Sequence, residues 1–200
     1  MNNSFPILCF KHCKSKSVFC KTIPDTCPLC NCSLSESYIE PFVLPYCCKK
    51  AADDPPSIVL KPTQGTFCND YNLSKDMHIG IVNSIGHLYE FDHRGITVNN
   101  FSDWLDCIVV HIIPESWYIH WDQTLFSLIE NNKWNSCNYN VQSMNCYNFI
   151  IEFLQKLNFK DFNFVTKEQV FEKLLLPRLR YTLKYIYIYR SLKSKPYYIA

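Results

Sequence analysis

Two residues of this chain have the type and setting for covalent chemistry. Cys146 opens the segment NCYNFIIEFLQKL. There Phe149, Ile150, Phe153, Leu154 and Leu157 fall at i, i+1, i+4, i+5 and i+8, the apolar stripe of a helix packed on a core. A thiol in the first turn of such a helix gains acidity from the unpaired amides and the dipole, and the thiolate is the nucleophilic form. A thiolate needs a partner to hold and relay its proton, most often an imidazole fixed on rigid backbone. His78 opens the apolar run HIGIV and can serve as that base. Together they suggest a Cys-His dyad acting on an amide, isopeptide or thioester bond, with no cofactor in the reaction. A residue that orients the imidazole is still needed. The hairpin register decides between Glu90 and Asp92 on the His78 face, or Tyr89 and Phe91 instead. Oxyanion donors are offered by Gln142 or Asn145 with the Cys146 amide.

A second group of residues reads as a metal centre. Cys27-Pro28-Leu29-Cys30 is a C-x-x-C knuckle, half of a four-ligand zinc site. The preferred set is Cys9, Cys13, Cys27 and Cys30, with His12 as the alternative to Cys9; Cys20, Cys32, Cys47 and Cys48 are further substitutes. Zinc here would be structural, because so short a segment with few large apolar residues cannot fold by burial alone. Free thiols in a flexible head are the plainer alternative. A redox pair at Cys27 and Cys30 fits less well, since such motifs follow a strand and open a helix.

These residues must be carried by regular elements. Residues 1–56 show no sustained periodicity and end in CCKKAADDPP, a linker composition, which sets a Cys-rich head apart from a domain over residues 57–200. Strands are expected around Ile58 to Leu60, on both sides of Asn83 to Gly86, and over Trp104 to Ile113. A helix through Trp121, Leu125, Leu128 and Ile129 stops at Asn131-Asn132, and the Cys146 helix follows a polar loop. Thr166 and Gln169 form a capping-box pattern, and Pro177 must kink the helix beyond it or start another. In the last region Arg178, Arg180, Lys184, Arg190, Lys193 and Lys195 alternate with tyrosines. Such a mixture can bind RNA, but helical spacing favours a packed helix burying Tyr181, Leu183, Tyr185, Ile186 and Tyr189.

HIGIVNSIGHLYEF resembles the His strand of the PPPDE and LRAT-like permuted thiol hydrolases, which reads H-x-G-I-V and then G-x-x-Y. YNVQSMNCYNFIIEFL is similar to the PPPDE segment in which N-C-x-x-F opens the catalytic helix. The resemblance implies His78 as base and Cys146 as nucleophile. It also implies an α+β fold: a circularly permuted papain-like domain, an antiparallel sheet packed on helices, behind a small zinc-ribbon-like Cys-rich segment. KPTQGTF, MHIGIVN and NCYNF in this order behind a CPLC head also resemble the makorin opposite-strand protein family, from Phe10 to Tyr198. That family is uncharacterised and implies no activity.

Composition narrows the rest. Hydrophobic residues make up 48% and aromatics 16% of the 200 residues, so a well-filled core is expected rather than disorder. A net charge of +2 supplies no field for nucleic acid or an anionic membrane. No export signal opens the sequence and no apolar run is long enough to span a bilayer, so a soluble protein of the cell interior, cytoplasm or nucleus, is expected. Twelve cysteines then read as thiols or metal ligands rather than disulfides. His87, His93, His111 and His120 read as polar partners in a tyrosine-rich core. The expected partners are a protein or protein-conjugate substrate for a hydrolase or acyltransferase. Otherwise the chain is a zinc-stabilised interaction scaffold or, with less support, an RNA-binding accessory protein; oligomeric state is open.

Overall fold

A computed structural model describes residues 5–13, 16–35, 39–72, 74–160 and 162–200. Nine short strands appear in chain order: β1 (Leu8–Phe10), β2 (Val18–Cys20), β3 (Phe42–Val43), β4 (Ser57–Pro62), β5 (Met77–Val82), β6 (Leu88–Asp92), β7 (Gly95–Val98), β8 (Ile108–Val110) and β9 (Tyr197–Ile199). The helices are α1 (Tyr118–Ile129), α2 (Cys146–Leu157), α3 (Lys167–Val170) and α4 (Leu176–Ser194). The architecture is α+β, with two antiparallel sheets. Among the described residues no helix is long and apolar enough to cross a membrane.

The chain divides into two compact units. Unit 1 comprises Met1–Cys47 and Leu183–Ala200, and unit 2 comprises Cys48–Thr182. This differs from the boundary expected after Pro56. Residues 48–56 sort with unit 2 because Lys49 pairs with Cys107 and the Ala51 amide donates to Trp104 O. Residues 183–200 sort with the head because β9 adds to β2, with Val18 opposite Ile199, Phe19 opposite Tyr198 and Cys20 opposite Tyr197.

Unit 1 carries the sheet β3-β1-β2-β9. Its small core is Phe10, Val18, Cys20, Cys27 and Leu34. Unit 2 carries the sheet β7-β6-β5-β4-β8, with α2 packed on β5 and β6 and α1 packed on α2. Trp121 meets Phe153 edge to face, and Phe91 gathers Trp134, Tyr139 and Phe149, which fixes α2 against the sheet.

The β5–β6 hairpin forms where expected, its turn held by Asn83 Oδ1, which accepts from the Ile85 and His87 amides. Gly86 there has φ of +88°, the left-handed region that costs glycine nothing. The strand expected over Trp104 to Ile113 is shorter, Ile108–Val110. A 3-10 turn over Phe101–Asp103 aims the Trp104 indole inward instead. The Thr166 capping box is present, and a π-helical turn over Phe171–Leu175 precedes α4. Widening the helix there accommodates Pro177, which has no amide for the ladder and would crowd the preceding turn. In α4, Tyr185, Ile186 and Tyr189 are buried, but Tyr181 is 48% exposed and does not belong to the packed stripe.

Candidate functional site

In unit 2 the β5–β6 register pairs Gly80 with Glu90 and Ile81 with Tyr89. Side chains alternate along a strand, so Glu90 shares the face of His78, and a diagonal cross-strand neighbour is within reach of long side chains. His78 Nε2 lies 2.8 Å from Glu90 Oε2. Tyr89 and Phe91 turn to the other face. Glu90 is 2% exposed and fully used: Trp104 Nε1 donates to Oε2 at 3.1 Å and Asn100 Nδ2 to Oε1 at 3.3 Å. Gly80 makes room for this arrangement, since a Cβ there would sit 3.1 Å from Tyr89 O and 3.4 Å from the Trp104 ring. Nothing in hydrophobic periodicity marks Trp104 and Asn100 as partners of Glu90.

Cys146 is the first residue of α2, 6% exposed. Its neighbour Asn145 is the N-cap and, with Asn148, closes a capping box. Asn145 Oδ1 accepts from the Tyr147 amide at 3.0 Å, and its Nδ2 donates to Val141 O. The Asn145 side chain thereby serves the helix start. Gln142 is exposed in the preceding turn, where its amide donates to Asn140 and its carbonyl accepts from Lys167.

Cys146, at the start of α2, is close enough to the His78 ring to act on its titration. Burial alone would lower the His78 pKa, but Cys146 and Glu90, with their charges, outweigh it and push the imidazole up to about 9. Burial works to raise Glu90, yet the bonds from His78, Trp104 and Asn100 hold it below the usual carboxylate range. The result is a sulfur, an imidazole and a carboxylate gathered at one place, with the imidazole biased toward its charged form. Beside it opens a cleft of about 230 Å³, lined by Lys61, Thr63, His78, Glu90, Arg94 and Tyr139 among others.

In unit 1, His12, Cys13, Cys27 and Cys30 bring one ligand atom each within 4.8 Å of all the others. Cys13 Sγ is 3.7 Å from Cys27 Sγ, and His12 Nδ1 is 3.5 Å from Cys30 Sγ. Four ligands on a tetrahedron with Zn–S near 2.3 Å have edges of about 3.8 Å, so the set fits a metal of that size. The knuckle is shaped by Asn31 at φ of +62°, with the Asn31 amide donating to Cys27 O. Burial raises the Cys27 thiol, but amides of Leu29 and Cys30 more than offset it and the thiol is lowered. The Cys32 amide does the same for Cys30, lowering it to about 7. Cys9, the preferred ligand from sequence, is outside the group. It pairs with Phe19 in the β1–β2 ladder and is buried there, and His12, two residues past the strand, takes its place.

The C-terminal part of the DUF4796 family matches residues 41–192 and its N-terminal part matches residues 6–34. The chain belongs to this family. It is 27% identical over 197 residues to the MKRN2 opposite strand protein of Homo sapiens, spanning 96% of this chain and 87% of that protein. The resemblance read from KPTQGTF, MHIGIVN and NCYNF is thus confirmed. No solved structure matches the chain.

Proposed function

We propose that this DUF4796 chain is a thiol hydrolase or acyltransferase whose unit 2 is a permuted papain-like domain. The observation that carries the reading is the His78 imidazole, held by Glu90 at 2.8 Å and under the electrostatic influence of Cys146 at the start of α2. With Nε2 committed to Glu90, Nδ1 is the nitrogen left for sulfur. The Cys146 thiolate adds to the carbonyl carbon of an amide, isopeptide or thioester, and the carbonyl electron pair moves to oxygen. The Cys146 amide, at the positive end of α2, faces that developing charge. Collapse breaks the bond to the leaving amine or thiol, which takes the proton of His78. Neutral His78 then removes a proton from water or an acceptor amine that cleaves the thioester. Glu90 does not touch substrate; it fixes the ring and favours its charged form.

The test is the rate of Cys146 alkylation by iodoacetamide against pH, read by mass spectrometry, in the natural chain and in His78→Ala. Reactivity should persist well below the free-thiol pKa of about 8.5 and fall by roughly 10²-fold in the variant at neutral pH. An ordinary profile indifferent to His78 sinks the reading.

A specific observation favours a second role for unit 1. The His12, Cys13, Cys27 and Cys30 group has tetrahedral dimensions. In this reading it holds a structural zinc, and unit 1 is a zinc-stabilised surface for a protein partner or conjugate. It takes no part in the reaction, and abundant free thiols suit the reducing cell interior, cytoplasm or nucleus.

A further inference from the structure

The cleft beside His78 contains three carboxylates and two permanent cations, and their bonding is unequal. Each carboxylate is engaged. Glu90 accepts from His78, Trp104 and Asn100. Asp92 accepts from the Arg94 amide at 2.7 Å and from its guanidinium at 2.6 Å and 3.0 Å. Asp103 accepts from Asn100 Nδ2 at 2.8 Å. Arg94 is therefore ion-paired within its own turn.

Lys61 differs. It lies directly opposite His78 in the β4–β5 ladder and lines the same cleft. Among the described residues its ammonium has no ion pair and no hydrogen-bond acceptor; it lies over the face of Trp104, 5.1 Å from the ring centroid. Three N–H donors thus stand unspent on a half-buried strand residue, next to the imidazole assigned to catalysis. A cation–π contact orients such a group without consuming its donors. Thr63, two residues on and so on the same face, adds a hydroxyl to the same wall.

We infer that Lys61 sets the specificity of the site, by binding a carboxylate that the acyl substrate carries close to its scissile carbonyl. This rests on the thiol hydrolase reading. A carboxylate there accepts from the ammonium and the Thr63 hydroxyl and relieves the repulsion between two adjacent cations, Lys61 and protonated His78. Neutral acyl groups leave Lys61 as it is.

Two alkylating reagents of nearly equal size test this in the full chain: iodoacetate carries the carboxylate and iodoacetamide does not. Rates at Cys146 are compared in the natural chain, Lys61→Met and Lys61→Arg. Lys61→Met should lower the iodoacetate rate relative to the iodoacetamide rate by about tenfold, and Lys61→Arg should keep the preference for iodoacetate. The ratio guards against misfolding, which would expose Cys146 to both reagents alike. If the ratio is the same in Lys61→Met as in the natural chain, the specificity assignment is wrong while the dyad stands. If Cys146 of the natural chain resists both reagents, the hydrolase reading falls and this inference with it.

Discussion

Unit 1 and unit 2 each set a cysteine against a histidine, and what surrounds the pair differs. His12 and Cys30 in unit 1 lie 3.5 Å apart in the company of two further sulfurs, with backbone amides lowering Cys27 and Cys30. His78 and Cys146 in unit 2 have a buried carboxylate behind the ring and no second thiol among the groups that act on it. Sulfur converging on sulfur satisfies a cation that accepts four lone pairs at once. Sulfur against an imidazole backed by a carboxylate instead moves one proton along a line. Under the proposed function the same two side chains form a ligand set in one unit and a nucleophilic pair in the other, and their third neighbour is what distinguishes them.

The largest effect that could break this contrast concerns metal. One zinc per chain should be retained in native mass spectrometry and lost in Cys27→Ser or on strong chelation, with apparent binding energies for such sites on the order of 10 kcal/mol. Cys13 and Cys30 should then alkylate freely while the Cys146 rate stays as it was; a chelator that changes Cys146 to the same degree would erase the distinction between the two sites. Next in size is Glu90→Gln, which keeps an acceptor for Trp104 but removes the charge paired with His78. It should cost about 2 kcal/mol in denaturant unfolding and bring the His78 pKa, followed by NMR, down from about 9. No movement of that pKa would detach the carboxylate from the pair.

The smallest effect lies in pH. A histidine raised in the folded state contributes stability that is complete below its unfolded pKa, near 6.5, and is lost as pH climbs through about 9. Unfolding free energy should therefore decline across that window. The decline is no steeper than ~1.4 kcal/mol per pH unit, since one proton is involved, and it should be shallower in Glu90→Gln. Glu90 itself, lowered by its donors, loses its contribution only as pH falls below the ordinary carboxylate range.

What could be read from sequence followed the range of the forces concerned. The β5–β6 hairpin and the α2 stripe with Cys146 at its start are written in neighbouring residues, and both formed as expected. The choice between Glu90 and Tyr89 beside His78 hung on a one-residue register, which only the Gly80–Glu90 pairing decides. Cys9 had a reasonable spacing for metal, but strand pairing with Phe19 committed it to the sheet. Trp104 looked like the start of a strand, and its indole became a donor to Glu90 through a turn that no local period announces. The addition of β9 to β2 joins residues from distant parts of the chain, and short-range patterning carries no trace of it.

That last pairing bears on how the protein is made. The strands of unit 2 pair within residues 57–110, and its helices follow soon after. Unit 1 begins earlier in the chain, yet Val18 waits for Ile199. On a ribosome working from the N-terminus, unit 2 can fold while β2 still presents an open edge, and edges of this kind recruit other chains. The thiols at Cys9, Cys13, Cys20, Cys27 and Cys30 are synthesised well before β9, the strand that completes their sheet. If His12 and its neighbours take up a metal, as proposed for unit 1, early uptake would hold that segment in shape through the interval.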